Sequence, residues 1–65
     1  MKSEIESYIV LLQHEMFAEN IKTVDKGYIT EVVLRAGGEE SQVEEILNHP
    51  WVNMGVNGEY TVHGT

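Results

Sequence analysis

Cysteine is absent from this chain of 65 residues. Its absence excludes disulfide bonds and thiolate metal sites within the chain, so apolar packing must supply the stability. A domain of this size buries only about 60% of the surface that its unfolded chain exposes. We therefore expect residues 1–65 to form a single domain with a thin core, with or without the help of a partner copy.

Long apolar runs are missing as well. The chain starts with Met1-Lys2-Ser3-Glu4 and passes directly into an amphipathic pattern, without the uninterrupted apolar stretch that a signal peptide or a membrane span requires. Proline occurs once, at Pro50, and no repeat or low-complexity segment divides the chain. These features predict a cytoplasmic protein that does not associate with membranes.

Positive charge is scarce. Eleven Asp and Glu residues against four Lys and Arg residues give a net charge of −7. All four bases lie within residues 1–35, whereas residues 36–65 carry five acids and no Lys or Arg. Net charge of this size serves solubility in small domains, but it also repels phosphates and anionic lipid. We expect a protein partner with a basic surface, and no direct contact with nucleic acid.

Signatures of catalysis are also lacking. The chain shows no nucleophile paired with a base, no phosphate-binding glycine loop and no calcium-loop pattern. His14, His49 and His63 are scattered and do not have the spacing of metal ligands. We therefore predict that the protein is not an enzyme and uses no metal or cofactor.

The first segment has the pattern of an amphipathic helix. Ser3 with Glu6 forms a capping box, and Asn20 is a suitable helix end because Asn tolerates the left-handed conformation. The apolar residues between them recur at three- and four-residue spacing, and Val10, Leu11 and Phe17 widen the stripe. A stripe this wide predicts a central core helix or a homodimer contact. The residues of the central stripe are Ile5, Tyr8, Ile9, Leu12 and Met16.

The segment after Asn20 allows two interpretations. Residues 21–24 are β-prone and Asp25-Lys26-Gly27 is typical of a turn. Residues 28–36 have apolar positions at helical spacing followed by Gly37-Gly38, which favours a helix that ends there. They are also rich in β-formers, and a strand in this place would give a helix-hairpin-helix-hairpin arrangement.

The last third predicts a short helix and a hairpin. Ser41 with Glu44 suggests a second capping box, and Pro50 opposes continuation of the helix past His49. A hairpin with the three-residue loop 56–58, and Gly58 left-handed in a bulge, pairs Val52 with Val62 and Met54 with Tyr60. We expect this register because it places these four apolar residues on one face.

The resulting order of helix, short strand, helix, helix and hairpin is similar to that of a winged helix, a small α+β domain. The resemblance covers nearly the whole chain and rests on element order, so it implies the fold more than the function. It also implies that the third helix would enter the DNA major groove. Here that helix is acidic and the hairpin has no Lys or Arg, so the charge opposes DNA binding.

Two functional hypotheses follow. The first is a small protein-interaction module, an inhibitor or DNA mimic of the kind that viral and mobile-element proteins often are, which binds a nucleic-acid-binding partner. The alternative is a winged-helix DNA-binding regulator that uses Lys2, Lys22, Lys26 and Arg35 for phosphate contacts. Trp51 serves as a core anchor, an interface anchor or both. The candidate partner-binding residues are Glu39, Glu40, Glu44, Glu45 and Trp51.

Overall fold

A computed structural model describes residues 3–63. In this part of the chain, three helices precede a two-stranded antiparallel hairpin, so the predicted α+β class and the order of three helices followed by a hairpin are confirmed. The helix-hairpin-helix-hairpin alternative is wrong, because residues 26–35 are helical. The elements are α1 (Glu4–Glu19), α2 (Lys26–Arg35), α3 (Glu40–Leu47), β1 (Val52–Met54) and β2 (Tyr60–Val62).

Both predicted ends of α1 are confirmed. The Ser3 hydroxyl oxygen accepts a hydrogen bond from the Glu6 backbone N–H at 3.1 Å, which satisfies one of the free donors of the first turn. Asn20 adopts the left-handed conformation, with φ 58° and ψ 43°. The next N–H, that of Ile21, donates to the Met16 carbonyl at 2.8 Å and closes the helix.

The segment between α1 and α2 differs from the prediction at two points. Asp25-Lys26-Gly27 is not a turn: the Asp25 carboxylate accepts the Tyr28 backbone N–H at 2.8 Å, and the helix already begins at Lys26. The predicted strand at residues 21–24 reduces to one bridge. Val24 exchanges backbone hydrogen bonds of 3.0 and 2.7 Å with Tyr60 of β2.

Two glycines end α2, as predicted. Gly37 has a φ of +88°, and its N–H donates to the Leu34 carbonyl at 3.1 Å. The Gly38 N–H donates to the Val33 carbonyl at 2.9 Å. This pair of bonds is the Schellman arrangement, in which a left-handed residue lets the chain turn back over the helix end.

The start of α3 differs from the predicted Ser41–Glu44 capping box. The helix begins two residues earlier than that box implies, at Glu40, and Glu39 is its N-cap. The Glu39 N–H donates to the Gln42 side-chain oxygen at 2.9 Å. The predicted box is therefore wrong, and the carboxylate of Glu44 instead lies beside Lys26.

The hairpin has the predicted register, with Val52 opposite Val62 and Met54 opposite Tyr60. The loop differs in one detail, because Asn57 as well as Gly58 has a positive φ, of 68° and 72° respectively. Burial of all four paired residues is not confirmed: Val52 is buried, whereas Met54 is 69% exposed near the tip of the hairpin. The apolar face is covered only where it meets the helices.

The core is entirely apolar and draws on every helix. Among the residues described, no polar or charged side chain is buried. Val24 and Val52 close the core from the segment before α2 and from β1. Because Val43 and Ile46 of α3 face this core, the Glu and Ser side chains of the helix are left in solvent. The ten buried residues are Ile9, Leu12, Met16, Val24, Ile29, Val32, Val33, Val43, Ile46 and Val52.

Candidate protein-interaction site

The solvent side of α3 is acidic. Val43 and Ile46 are buried in the core, and Glu44 and Glu45, which lie between them in the sequence, are exposed. The carboxylates predicted as partner-binding are all exposed and lie on this one element or at its N-cap. We call this surface the acidic face. It consists of Glu39, Glu40, Glu44 and Glu45.

One carboxylate of the acidic face has a basic neighbour. The Lys26 ammonium lies 2.7 Å from the Glu44 carboxylate, and both side chains are exposed. The hydrogen bond to Glu44, and then its charge, raise the pKa of Lys26 above its ordinary value. Solvent screens such exposed pairs, so the contact fixes Glu44 only weakly. Among the described residues, Glu39, Glu40 and Glu45 make no ion pair within 4.0 Å.

Gln42 links the acidic face to α1. Its side-chain amide donates to the Glu4 carboxylate, and its side-chain oxygen accepts the N–H of Glu39. The contact places a further negative charge from the first turn of α1 beside the start of α3. Sequence reasoning missed this contribution of Glu4, because the two partners are 38 residues apart and no local pattern connects them.

Trp51 is half-buried and packs against the core. Its ring centroid lies 4.8 Å from that of His49, with the rings inclined at 65°, which is the edge-to-face geometry that aromatic rings prefer. Trp51 thus lies against the core in the segment between the end of α3 and the start of β1, and the residue remains partly exposed.

His49 connects this anchor to α1. Its Nδ1 accepts the Trp51 backbone N–H at 3.1 Å, and its Nε2 lies 3.3 Å from the Glu6 carboxylate. Since Nδ1 is an acceptor, the proton of the neutral ring belongs on Nε2, where it is donated to Glu6. The sequence showed no ligand spacing for His49, and its contact with Glu6 spans 43 residues.

The basic residues are largely engaged with carboxylates of the same chain. Arg35 lies 2.8 Å from Glu31, and this hydrogen bond and charge raise the pKa of Arg35. Lys26 is paired with Glu44. Lys22 is exposed in the segment after α1, and Lys2 lies outside the described residues. The cations that the DNA-binding alternative requires are thus scattered or paired.

Neither a metal site nor a membrane helix is found in residues 3–63. In this part of the chain, no group of three or more His, Asp or Glu side chains is placed to hold a metal ion. No described helix has the length and apolar character needed to cross a bilayer, since the longest has 16 residues. A span normally needs about 20.

Comparison with known proteins gives no match to a family model, to a curated protein or to a solved structure. No activity, substrate or partner is therefore carried over from a relative. The acidic face and its neighbours are defined by the residues of this chain alone.

Proposed function

We propose that this protein is a small interaction module whose acidic face binds a basic surface on another protein. The observation that supports the proposal is the presence of four exposed carboxylates at one short helix, with a single basic neighbour. The hairpin that follows contributes no Lys or Arg. Charge of one sign concentrated on one face accelerates encounter with a partner of the opposite sign and disfavours other partners.

The partner class that best fits this charge is a nucleic-acid-binding protein. Such proteins present Lys and Arg side chains that neutralise phosphates. A helix with exposed carboxylates competes for the same side chains, so occupation by this module excludes the nucleic acid. The module then acts as an inhibitor or DNA mimic, a role common among small viral and mobile-element proteins.

Trp51 supplies the apolar part of the proposed contact. Tryptophan is enriched among the residues that dominate binding energy. Its ring is already held by His49 and the core, so little side-chain freedom is lost when a partner packs on its exposed edge. The acidic residues then set the attraction and orientation, and Trp51 adds contact area beside them.

The proposal is tested with a variant in which Glu40, Glu44 and Glu45 are all replaced by Gln. Gln keeps the size and the helix propensity of Glu while removing its charge. Tagged wild-type protein captures a basic partner from cell lysate, and added DNA releases that partner. We expect the triple variant to bind the purified partner at least about tenfold more weakly, with a smaller dependence on salt.

The matched control replaces Glu15, Glu19 and Glu31 by Gln. It removes the same number of charges and also one ion pair, that of Glu31 with Arg35, but leaves the acidic face intact. Equal capture by wild type and the Glu40, Glu44 and Glu45 variant would overturn the proposal. A gel shift with duplex DNA at low salt tests the winged-helix regulator, since phosphate contacts are strongest there; direct DNA binding would favour that alternative.

A further inference from the structure

Phe17 is an exposed aromatic residue on α1. Its side chain is 88% exposed, although neighbouring positions of the same helix form the core. Leu11, six residues earlier on the same helix, is 40% exposed. Scattered exposed apolar residues are normal in small proteins, so the surroundings of this pair decide whether it has a role.

Within about 60° of His14 around the helix axis, the outer side of α1 carries no Asp, Glu, Lys or Arg. With about 100° of rotation per residue, His14 lies opposite the middle of the buried stripe formed by Ile9, Leu12 and Met16. The neighbours of His14 on that side are all uncharged, in a chain whose net charge is −7. We call this surface the outward face of α1. It consists of Ser7, Val10, Leu11, His14, Phe17 and Ala18.

We propose that two copies of this protein pair through the outward faces of α1 in an antiparallel dimer whose two-fold axis passes near His14. In a two-fold interface, each pair of contacting residues occurs twice, once in each direction. Leu11 and Phe17 lie about 120° apart around the helix, so an axis at His14 sets Phe17 of one copy beside Val10 of the other on one flank. On the other flank it sets Leu11 beside Ala18, a larger side chain against a small one. The outward face is thus complementary to itself.

Charge at the two ends of α1 favours the antiparallel orientation. Glu4 and Glu6 lie in the first turn, and Lys22 follows the last turn as an exposed side chain. Antiparallel pairing brings Lys22 of each copy to the end of the pair where the first turn of the other lies. Parallel pairing would set acids against acids and align the helix dipoles unfavourably.

Two copies of an acidic protein repel each other less at the uncharged outward face than at the neighbouring surfaces of α1 and α2, because those surfaces carry Glu15, Glu19 and Glu31. A helix of 16 residues is about 24 Å long, so a single helix pair covers less than the roughly 800 Å² per partner of a standard interface. The dimer is therefore expected to be weak.

This dimer does not depend on the proposed partner function. The buried side of α1 stays in the core of each copy and contacts α2 and α3. The acidic face lies on the solvent side of α3 and takes no part in the pairing. Loss of the dimer and loss of partner binding are therefore separable by different variants.

Sedimentation of the full chain between about 10 µM and 1 mM tests the pairing. Wild type is expected to associate as concentration rises. Phe17→Glu is expected to weaken association at least about tenfold, because it places a carboxylate in the contact. Val56→Glu is the matched control, since Val56 is 85% exposed at the hairpin tip and the charge change is identical; it should leave association unchanged.

The register is tested on wild-type protein by NMR. An isotope-filtered NOE between the Phe17 ring and the Val10 methyl groups is expected in a mixture of labelled and unlabelled chains. Three results would each overturn the proposal. They are a wild-type protein that stays monomeric at about 1 mM, association that Phe17→Glu does not weaken, and absence of this NOE at concentrations where the dimer forms. Because the NOE is measured on wild-type protein, it tests the register even if Phe17→Glu does not fold.

Discussion

Gly37 and Gly38 stand side by side after α2 but are needed for different reasons. Gly37 has a φ of +88°, and a Cβ there would meet nothing within 4 Å. Gly38 has the opposite situation. A Cβ there would lie 2.6 Å from Val33 Cγ1, 2.8 Å from Gln42 Oε1 and 2.9 Å from Tyr8 Cζ. One position is restricted by the backbone and the other by packing.

Substitutions at Gly37 and Gly38 distinguish the backbone restriction from the packing restriction. We expect Gly37→Ala to lower the free energy of unfolding by about 1–2 kcal/mol, and Gly37→Asn to cost less, since Asn tolerates the left-handed region. At Gly38, overpacking costs about 1–3 kcal/mol, and the larger Asn should cost at least as much as Ala. Urea denaturation of the four variants measures these losses of stability. If Ala and Asn ranked in the same order at both positions, the assignment of a backbone restriction to Gly37 and a packing restriction to Gly38 would be wrong.

The glycine pair shows what could be predicted at the scale of single residues. A helical pattern followed by two glycines predicts a helix end, because a left-handed residue is a local requirement. The crowding at Gly38 was not predictable in this way. It arises where Tyr8 of α1, Val33 of α2 and Gln42 of α3 meet, and such a meeting exists only in the folded chain.

At the scale of elements, the start of α2 shows why a local pattern can fit two structures. An Asp side chain that accepts an N–H a few residues later stabilises a turn and caps a helix by the same chemistry. The sequence Asp25-Lys26-Gly27 therefore fits both. The helix prevails because Ile29, Val32 and Val33 are buried together when α2 starts at Lys26.

The cap itself is testable. Asp25→Ala is expected to lower the free energy of unfolding by about 1 kcal/mol, because the Tyr28 N–H loses its acceptor. Asp25→Ser keeps an acceptor oxygen and should retain most of the stability. Thermal or urea unfolding of both variants measures the difference, and equal losses would show that the side-chain hydrogen bond at 2.8 Å does not stabilise the helix start.

At the scale of the whole molecule, the free energy of unfolding depends on pH in the alkaline range through two groups, Tyr28 and Lys26. Burial raises the pKa of Tyr28, and so does its hydrogen bond to Glu19, in which the hydroxyl donates at 3.1 Å. The pKa of Lys26 is raised by Glu44. A pKa raised in the folded state means that folding favours the protonated form. That contribution is complete below the unfolded value and is lost as pH rises through the folded value.

We therefore expect the free energy of unfolding to fall as pH rises above about 10, the ordinary range of Tyr and Lys. Tyr28→Phe removes one of the two groups, so the fall should become shallower. Urea denaturation of wild type and Tyr28→Phe at several pH values from about 8 to about 11, which extend from roughly two units below to one unit above the ordinary Tyr pKa, measures the slope. An unchanged slope would contradict a contribution from Tyr28.

The candidate site could be predicted from the sequence only in part. The concentration of acids in residues 36–65 is visible in the sequence, and helical spacing places Glu40 and Glu44 on one side of α3. The neighbours of that surface were not predictable. Lys26, Glu4 and the contact of His49 with Glu6 reach it from other elements, across separations that no local pattern reports.

The sequence by itself determined the α+β class, helices α1 and α3, the hairpin register and the uneven charge, because each follows from periodicity, end residues or composition. Only the tertiary structure decided that residues 26–35 form a helix and not a strand, where α3 begins, that residues 21–24 contribute a single bridge, and which apolar residues stay outside. The physical reason is the size of the chain. A small core can cover only one side of α1, and contacts between distant segments decide which side that is, leaving Phe17 in solvent.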